Sequence, residues 1–420
     1  MAGRRFRHSW RATLLPAFAM VVASALAAGH AGTGSAIHAQ EVGAGPSGPQ
    51  VTSPEVGADH RVTFRLRAPE AKAVKLSGDF GPDVDLQRGR DGIWSVTVGP
   101  LEPEMYVYFF LVDGVRLTDP ANPQVKIGYV TSTTTSLLTV AGDTPAFYDV
   151  QDVPHGEIRT VLYQSRSNGV TRELTVYVPP GYDQSRARYP VLYLLHGFAN
   201  DHHSWHRYGR ANDILDNLLA QKAIAPFLVV MPLGYGGASV NGDGTGIPPR
   251  GGDPRGATAL YERDLLEDII PMIDRTYRTI ADRRHRAIAG FSMGGGQAGR
   301  FGLGHLETFS QVGIMSAGLG GGGAAGAPGS DPIAPLAANP VKTNAQIDLL
   351  WIACGKDDAA MRGARSLHDA LAKAGITHTF VESEGAHHWR VWRRYLRDLA
   401  PLLFKGGARS ASSSAGAVRR

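Results

Sequence analysis

One serine of this chain stands in a setting that could make it a nucleophile. Ser292 lies in the motif Gly290-Phe-Ser-Met-Gly294, directly after a short apolar run and before a segment predicted to be helical. A sharp turn from strand to helix needs small residues beside the serine, and it holds the hydroxyl clear of the backbone. Such a serine attacks a carbonyl carbon once a histidine takes its proton. The motif therefore predicts acyl-transfer chemistry at Ser292.

The acid and the base that this serine needs are found later in the chain. In this type of site the chain order is serine, acid, histidine. Asp357 and Asp358 follow an apolar run, and His387 and His388 come about thirty residues later. On spacing alone, either aspartate could be the acid and either histidine the base. The unused member of each pair would be an exposed loop residue or a packed histidine.

Backbone N–H groups must also stabilise the negative oxygen that forms during acyl transfer. One is the amide of Met293, the residue after the nucleophile. The second is predicted in the motif Leu194-Leu-His-Gly-Phe198, where a strand ends and Phe198 or its neighbour can turn its amide toward the serine. We expect His196 to order this turn rather than to transfer protons.

Two further sets of side chains could contact ligands. Trp205 and Trp389 could form an aromatic wall for a cinnamoyl-type acyl group, and packing in the core is an equal alternative for both. Three histidines come soon after the segment 196–199, which we call the oxyanion turn. They match no recognised zinc spacing, so we expect neither a metal nor another cofactor. These histidines are His202, His203 and His206.

The elements that would position these residues begin near residue 155. Short apolar runs there alternate with segments that have one apolar face, which indicates a mostly parallel sheet covered by helices on both sides. Together with the serine motif, this pattern predicts an α/β-hydrolase fold over residues 155–404. The predicted strands are 191–195, 227–231, 286–289 and 349–353, and the predicted helices are 212–222 and 260–277.

Residues 59–142 show a different pattern. Short runs alternate apolar and polar residues between turn signals such as Asp113-Gly114, which predicts a small β-sandwich. The segment resembles early-set immunoglobulin-like modules related to glycogen-binding domains, through Leu76-Ser-Gly-Asp-Phe80, Tyr106-Val-Tyr-Phe-Phe-Leu-Val-Asp-Gly114 and Asp119-Pro120.

This module departs from its relatives at the positions that bind sugar. Val84-Asp85 and Arg116-Leu117 stand where the related modules carry exposed tryptophans, which argues against glucan binding. We expect the module instead to pack against the catalytic domain and to shape one wall of its cleft.

Length, charge and composition describe the rest of the chain. A chain of 420 residues, 43% of them hydrophobic, is long enough for two domains with disordered ends. Residues 1–39 have a basic start and a short apolar run typical of a signal peptide, so a secreted or periplasmic protein without a membrane segment after cleavage is expected. Residues 40–58 are predicted to be a linker, and residues 405–420 a disordered tail.

Eight of the 43 basic residues lie in the two ends, which leaves 35 against 38 acidic residues in the body. No nucleic-acid partner is therefore expected. The single Cys354 cannot form an intramolecular disulfide, and its apolar surroundings predict a buried, inert thiol.

Several motifs together resemble the esterase D-like family, which includes feruloyl esterases, enterochelin esterases and mycolyltransferases. The resemblance spans roughly residues 155–404 and rests on Tyr193-Leu-Leu-His-Gly197, Gly209-Arg-Ala-Asn212, His285-Arg-Ala-Ile-Ala-Gly-Phe-Ser-Met-Gly-Gly-Gly-Gln297, Ile352-Ala-Cys-Gly355 and Val391-Trp392 after His387. In the family the acid ends a Cys-Gly-x-x-Asp turn and the base stands five residues before a tryptophan. The resemblance thus implies Asp358 as acid and His387 as base.

The resemblance also implies a substrate. The chain looks most like bacterial feruloyl and acetyl-xylan esterases, so we expect it to hydrolyse feruloyl esters first and acetyl esters second on plant polysaccharide, through an acyl-enzyme. Two alternatives are an acyltransferase to a sugar hydroxyl on the same triad and a non-catalytic carbohydrate-binding protein. The loops 236–256 and 318–332 are long and rich in small residues, and we expect both near the cleft mouth.

Overall fold

The computed structural model describes residues 51–129, 133–238, 254–319 and 333–405. The predicted signal peptide, most of the predicted linker and almost all of the predicted tail lie outside the described residues. Parts of the two loops expected near the cleft mouth lie outside them as well. Among the described residues, no helix is both long enough and apolar enough to cross a membrane.

The first part of the described chain is rich in β-structure. Its strands form a four-stranded sheet in the order β1-β2-β6-β5 and a second sheet in the order β4-β3-β7-β10-β9, with β8 paired to β7. The strands are β1 Glu55–Val56, β2 Val62–Arg67, β3 Val74–Gly78, β4 Gly81–Asp85, β5 Gln87–Arg88, β6 Ile93–Val98, β7 Glu104–Val112, β8 Val115–Leu117, β9 Val125–Lys126 and β10 Thr135–Val140.

Alternation along these strands explains why the two sheets share a core. In β2, Val62 and Phe64 are buried while Thr63 between them is partly exposed. In β7, Tyr106, Tyr108 and Phe110 are buried in the same way. A period of two places every second side chain on one face of a sheet. The prediction of an N-terminal β-rich region is confirmed, and its assignment to the early-set immunoglobulin-like class stays a prediction.

The second part contains one eight-stranded sheet in the order β11-β12-β14-β13-β15-β16-β17-β18. The strands β11, β12 and β14 pair antiparallel, and all pairs from β14 to β18 are parallel. Their bounds are β11 Glu157–Ser165, β12 Val170–Val178, β13 Val191–Leu195, β14 Leu228–Pro232, β15 Arg286–Phe291, β16 Gln311–Met315, β17 Leu349–Gly355 and β18 Thr379–Ser383.

Helices cover both faces of this sheet. They are α1 Ser204–Arg207, α2 Ala211–Ala220, α3 Pro254–Arg263, α4 Ile270–Thr276, α5 Met293–Gly304, α6 Ala334–Ala337, α7 Pro340–Gln346, α8 Met361–Lys373 and α9 Trp389–Leu399, with a π-helix at Asp264–Ile269 and 3-10 turns at Arg283–His285 and Ala400–Leu402. The helix predicted over 260–277 is thus divided. Pro271 at the start of α4 has no N–H to donate, which explains why regular α-helix does not run through this point.

The central strands are buried along their whole length, because each face of the sheet packs on helices. Every residue of β13, β14, β15 and β16 is buried, and two separate hydrophobic clusters fill the two sides. Cys354 in β17 is buried as predicted, and burial raises the pKa of its thiol to about 12. The prediction of a mostly parallel, helix-covered sheet is confirmed.

A buried ion pair joins the β-rich region to the last helix. Arg393 of α9 donates to Glu104 of β7 at 2.6 Å, and the two side chains are 0% and 3% exposed. The same guanidinium donates to the carbonyl oxygens of Met105 at 3.0 Å and Tyr208 at 2.8 Å. α9 begins two residues after His387. These contacts between α9 and the β-rich region therefore help to hold the predicted base in place.

Candidate active site

Ser292 stands at the turn between β15 and α5, with a backbone conformation that non-glycine residues rarely adopt. Its φ is 55° and its ψ is −120°. The Ser292 amide donates to the carbonyl oxygen of Met315 on the neighbouring strand at 2.9 Å, which ties the turn to the sheet. A residue in such a conformation costs of order 1–3 kcal/mol and persists only where its surroundings determine it. This is the strained turn that the motif predicts.

The flanking glycines are explained by close backbone approach. A Cβ placed on Gly290 would lie 2.6 Å from the carbonyl carbon of Gly294, and one on Gly294 would lie 2.4 Å from the carbonyl oxygen of His196. Both distances are far below van der Waals contact. The oxyanion turn and the serine turn can approach each other only because these positions carry no side chain.

The predicted catalytic side chains form one hydrogen-bonded chain. His387 Nε2 lies 2.9 Å from Ser292 Oγ. On the other side of the ring, His387 Nδ1 lies 2.9 and 3.0 Å from the two carboxylate oxygens of Asp358. A carboxylate in this place holds the proton on Nδ1 and leaves Nε2 free to accept the proton of the serine. The serine is thus within reach of a base whose tautomer is fixed.

Burial separates Asp358 from its neighbour. Asp358 is 4% exposed, whereas Asp357 is exposed to solvent. Burial raises the pKa of Asp358, but hydrogen bonds from His387, the Ala360 amide and Ser316 outweigh it, and the pKa falls below its ordinary value. The carboxylate is therefore ionised at neutral pH, as the support of a base requires.

His388 is the alternative to His387, and it occupies a different environment. Its Nε2 accepts a hydrogen bond from Arg390 at 3.2 Å. Burial and the charge of Arg390 lower the pKa of His388 to about 4. Its contacts are with this neighbouring arginine, and the ring that reaches Ser292 is His387.

Two backbone amides can face the oxygen of a bound carbonyl. Met293 is the first residue of α5, so its N–H has no partner within the helix. Among the described residues, none accepts a hydrogen bond from the Phe198 amide. A Cβ on Gly197 would lie 3.1 Å from the Ser292 Cβ, so the oxyanion turn runs directly beside the serine.

His196 orders this turn. The ring is 1% exposed; its Nε2 accepts from the Gly234 amide at 2.8 Å, and its Nδ1 donates to the carbonyl oxygen of Gly197, also at 2.8 Å. Burial lowers the pKa of His196 to about 4, so the ring stays neutral. A neutral ring bonded to the backbone on both sides has the ordering role expected from the sequence.

The structure corrects the expected role of the two tryptophans. Trp205 and Trp389 are 1% and 6% exposed, so neither ring has a face to offer a substrate. Trp205 Nε1 donates to the carbonyl oxygen of Leu195 at 3.0 Å, and both rings pack edge-on against Phe291. The alternative of core packing is the one observed. The rings support the strand that delivers Ser292.

The β-rich region also contributes to this site, although no sequence motif indicates it. The Tyr129 amide donates to the carbonyl oxygen of Ala199 in the oxyanion turn at 3.2 Å. The Tyr129 ring stacks on Tyr235 at 5.7 Å, and Tyr129 and Met293 pack against the same small cluster. Phe198 is 59% exposed and contacts Tyr235 edge-on. Aromatic side chains from both regions therefore lie beside the oxyanion turn.

A second group of polar side chains meets behind the same turn. Glu173 of β12 contacts His202 and His203, the two residues before α1. Together they form a set of possible metal ligands whose donor atoms lie within 4.8 Å of one another. No motif in the sequence links the histidines to a glutamate 29 residues before His202, so the sequence alone does not indicate this group.

Comparison with known proteins assigns the chain to a family. The Esterase family model matches residues 165–402, more than half of the chain. The chain belongs to the esterase family of enzymes. This assignment confirms the family expected from the sequence motifs, whereas the roles of individual residues stay predictions.

Among members and relatives of the esterase family, an endo-1,4-beta-xylanase/feruloyl esterase of Xylanibacter ruminicola is 31% identical over 362 residues, which are 84% of this chain and 46% of that protein. An esterase of Mycobacterium tuberculosis is 29% identical over 267 residues, 54% of this chain and 55% of that protein. The chain therefore spans about half the length of these curated relatives.

Solved structures of esterases share the fold. A ferulic acid esterase with 27% identity has a TM-score of 0.50 and covers 59% of this chain and 97% of its own. The enterobactin esterase of Shigella flexneri, at 17% identity, has a TM-score of 0.59 and covers 81% of this chain and 92% of its own. These neighbours have an α/β-hydrolase-like fold, which confirms the predicted fold of the catalytic region.

Proposed function

We propose that this esterase-family chain is a serine carboxylic-ester hydrolase that acts through an acyl-enzyme. The observation that carries the proposal is the chain of hydrogen bonds from Ser292 through His387 to the buried Asp358. A hydroxyl that shares a hydrogen bond with a carboxylate-supported imidazole is the arrangement that activates serine for attack on a carbonyl carbon.

The proposed reaction has two halves. Ser292 Oγ attacks the ester carbonyl carbon while His387 Nε2 takes its proton, and the amides of Met293 and Phe198 hold the oxyanion. His387 then protonates the leaving alcohol as the carbon–oxygen bond breaks, which leaves an acyl group on Ser292. Water attacks this acyl-enzyme with His387 again as base. The bond between the acyl carbon and Ser292 Oγ then breaks, His387 returns the proton to Oγ, and the acid is released.

For substrate, we propose feruloyl esters first and acetyl esters second, on plant polysaccharide. The names of the Xylanibacter relative and of the ferulic acid esterase support this choice. The site supports it through aromatic groups beside the oxyanion turn, namely the exposed Phe198 with Tyr235 and Tyr129. An aromatic acyl group packs well against such edges and faces.

We further propose that the protein is secreted or periplasmic, with neither a nucleic-acid nor a membrane partner.

We also propose that the β-rich region shapes one wall of the cleft through Tyr129. Replacing Tyr129 by Ala should raise KM for methyl ferulate more than KM for p-nitrophenyl acetate, because only the feruloyl group is large enough to use the wall. Equal changes for both substrates would remove Tyr129 from the acyl site.

Hydrolysis of methyl ferulate, p-nitrophenyl acetate and feruloylated arabinoxylan, run beside Ser292→Ala, tests the proposal. Turnover of the feruloyl substrates that is lost in Ser292→Ala is the expected result. Activity on the acetate alone would keep the serine mechanism and reject the feruloyl assignment. Faster formation of acylated sugar than of free acid would favour the acyltransferase. Failure of a fluorophosphonate probe to label Ser292 would favour a binding protein.

A further inference from the structure

The group behind the oxyanion turn has the composition of a metal site. One oxygen of Glu173 faces two imidazole nitrogens, with His202 Nε2 at 2.6 Å and His203 Nε2 at 3.3 Å. Two histidines and one carboxylate are a common protein ligand set for Zn²⁺, whose fourth position is taken by water. The side chains of Glu173 and His203 are 25% and 17% exposed, so an ion and its water can reach them from solvent.

The spacing of these atoms is close to what such an ion requires. With metal–ligand bonds of about 2.0–2.1 Å, the ligand atoms of a tetrahedral site lie about 3.3 Å apart. The separation of Glu173 and His203 already has this value, and that of Glu173 and His202 must widen by less than about 1 Å.

The surroundings support ligation rather than a simple hydrogen bond. His203 Nδ1 lies 3.2 Å from Thr175 Oγ1, a contact that orients the ring with Nε2 toward Glu173. His202 is 7% exposed, and its Nδ1 has no hydrogen-bond partner among the described residues, so the His202–Glu173 contact alone leaves this ring half-satisfied. The charge of Asp201 acts on both rings and adds to the negative potential of the site.

We propose that Glu173, His202 and His203 bind one divalent transition-metal ion of the Zn²⁺ class. The ion would tie the segment that follows the oxyanion turn to β12, since the two histidines come four and five residues after Phe198. The inference does not depend on which ester the chain hydrolyses.

Isothermal titration of the chelator-treated full chain with ZnCl₂ tests this site directly. The wild type should bind one equivalent, and Glu173→Gln and His203→Ala should each weaken binding at least tenfold. Zn²⁺ should also raise the melting temperature of the wild type but not of the two variants, because a ligand that binds only the folded state stabilises it. Circular dichroism of the metal-free variants checks that they fold.

A second histidine pair provides the matched control. His368 and His378 lie 2.7 Å apart, away from any carboxylate contact in the described residues, and could bind Zn²⁺ adventitiously. His368→Ala should leave the titration unchanged. Absence of stoichiometric binding to the wild type would overturn the proposal, and so would loss of binding in His368→Ala with retention in Glu173→Gln.

Discussion

Replacing the buried aspartate of the triad by asparagine separates the two aspartates that the sequence leaves open. Both carboxylate oxygens of Asp358 accept from His387 Nδ1, and the side chain is fully buried. In Asp358→Asn, the amide group can donate to Nδ1 and so move the imidazole proton to Nε2. A protonated Nε2 cannot accept the proton of Ser292.

The size of the effect follows from this change of tautomer. In a serine protease, replacing the carboxylate of the triad by an amide while the geometry is retained lowers kcat about 10⁴-fold. This loss equals about 5 kcal/mol of activation free energy. Because Asp358 is shielded from solvent, water cannot take the place of the carboxylate, and we expect the full loss. The matched variant Asp357→Asn changes an exposed carboxylate one residue away and should leave kcat within about twofold.

Both variants are assayed for kcat on p-nitrophenyl acetate and for the rate of labelling by a fluorophosphonate probe. Thermal melts check that the asparagine variants remain folded. A kcat within tenfold of the wild type in Asp358→Asn would refute the reasoning. An equal loss of kcat in Asp357→Asn would show that the role of the acid has been assigned to the wrong aspartate.

Three further predictions concern the scaffold of the site. Gly294→Ala should lower the free energy of unfolding by about 1–3 kcal/mol and abolish most activity, because its Cβ meets backbone; Gly304→Ala in the same helix meets open space and should be neutral or stabilising. Glu104→Ala should destabilise by about 3–5 kcal/mol in urea unfolding because its arginine partner stays buried and unpaired, whereas Arg394→Ala, at a 48% exposed side chain, should cost less than about 1 kcal/mol. Burial raises the pKa of Asp358, but hydrogen bonds hold this pKa below its ordinary 3.8. The contribution of the Asp358 carboxylate to stability is therefore complete above about pH 4, and it is lost as the pH falls through the lower pKa of the folded state. The stability difference between wild type and Asp358→Asn, measured by urea unfolding from pH 6 to pH 2.5, should therefore shrink only at the acid end.

The sequence was most informative where the chemistry constrains chain order. The motif around Ser292 requires a strand before it and a helix after it, and both are present. The predicted strands over 191–195 and 349–353 agree with the observed ones because a strand buried on both faces is a continuous apolar run.

The direction of a side chain was harder to predict than its element. Trp205 and Trp389 looked equally suited to a ligand wall and to the core, since an aromatic ring serves both. Only the packing around Phe291 distinguishes these roles, and it depends on residues distant in the chain.

Contacts between distant segments were invisible for the same reason. Tyr129 belongs to the β-rich region and Ala199 to the catalytic region, and no local pattern links them. Glu173 likewise meets His202 through the position of β12 in the sheet. A sequence motif consists of residues at fixed spacing, whereas these groups are brought together by the order of the strands in the sheet.

The positive φ of Ser292 lowers the stability of the fold at the residue that the proposed catalysis requires. Glycine adopts a φ of 55° without penalty, so Ser292→Gly should unfold at higher urea concentration than the wild type while losing all acyl-enzyme formation. Selection for stability alone would therefore remove the nucleophile. In directed evolution of this chain for heat resistance, loss of the serine is a route to be expected unless every round also demands turnover.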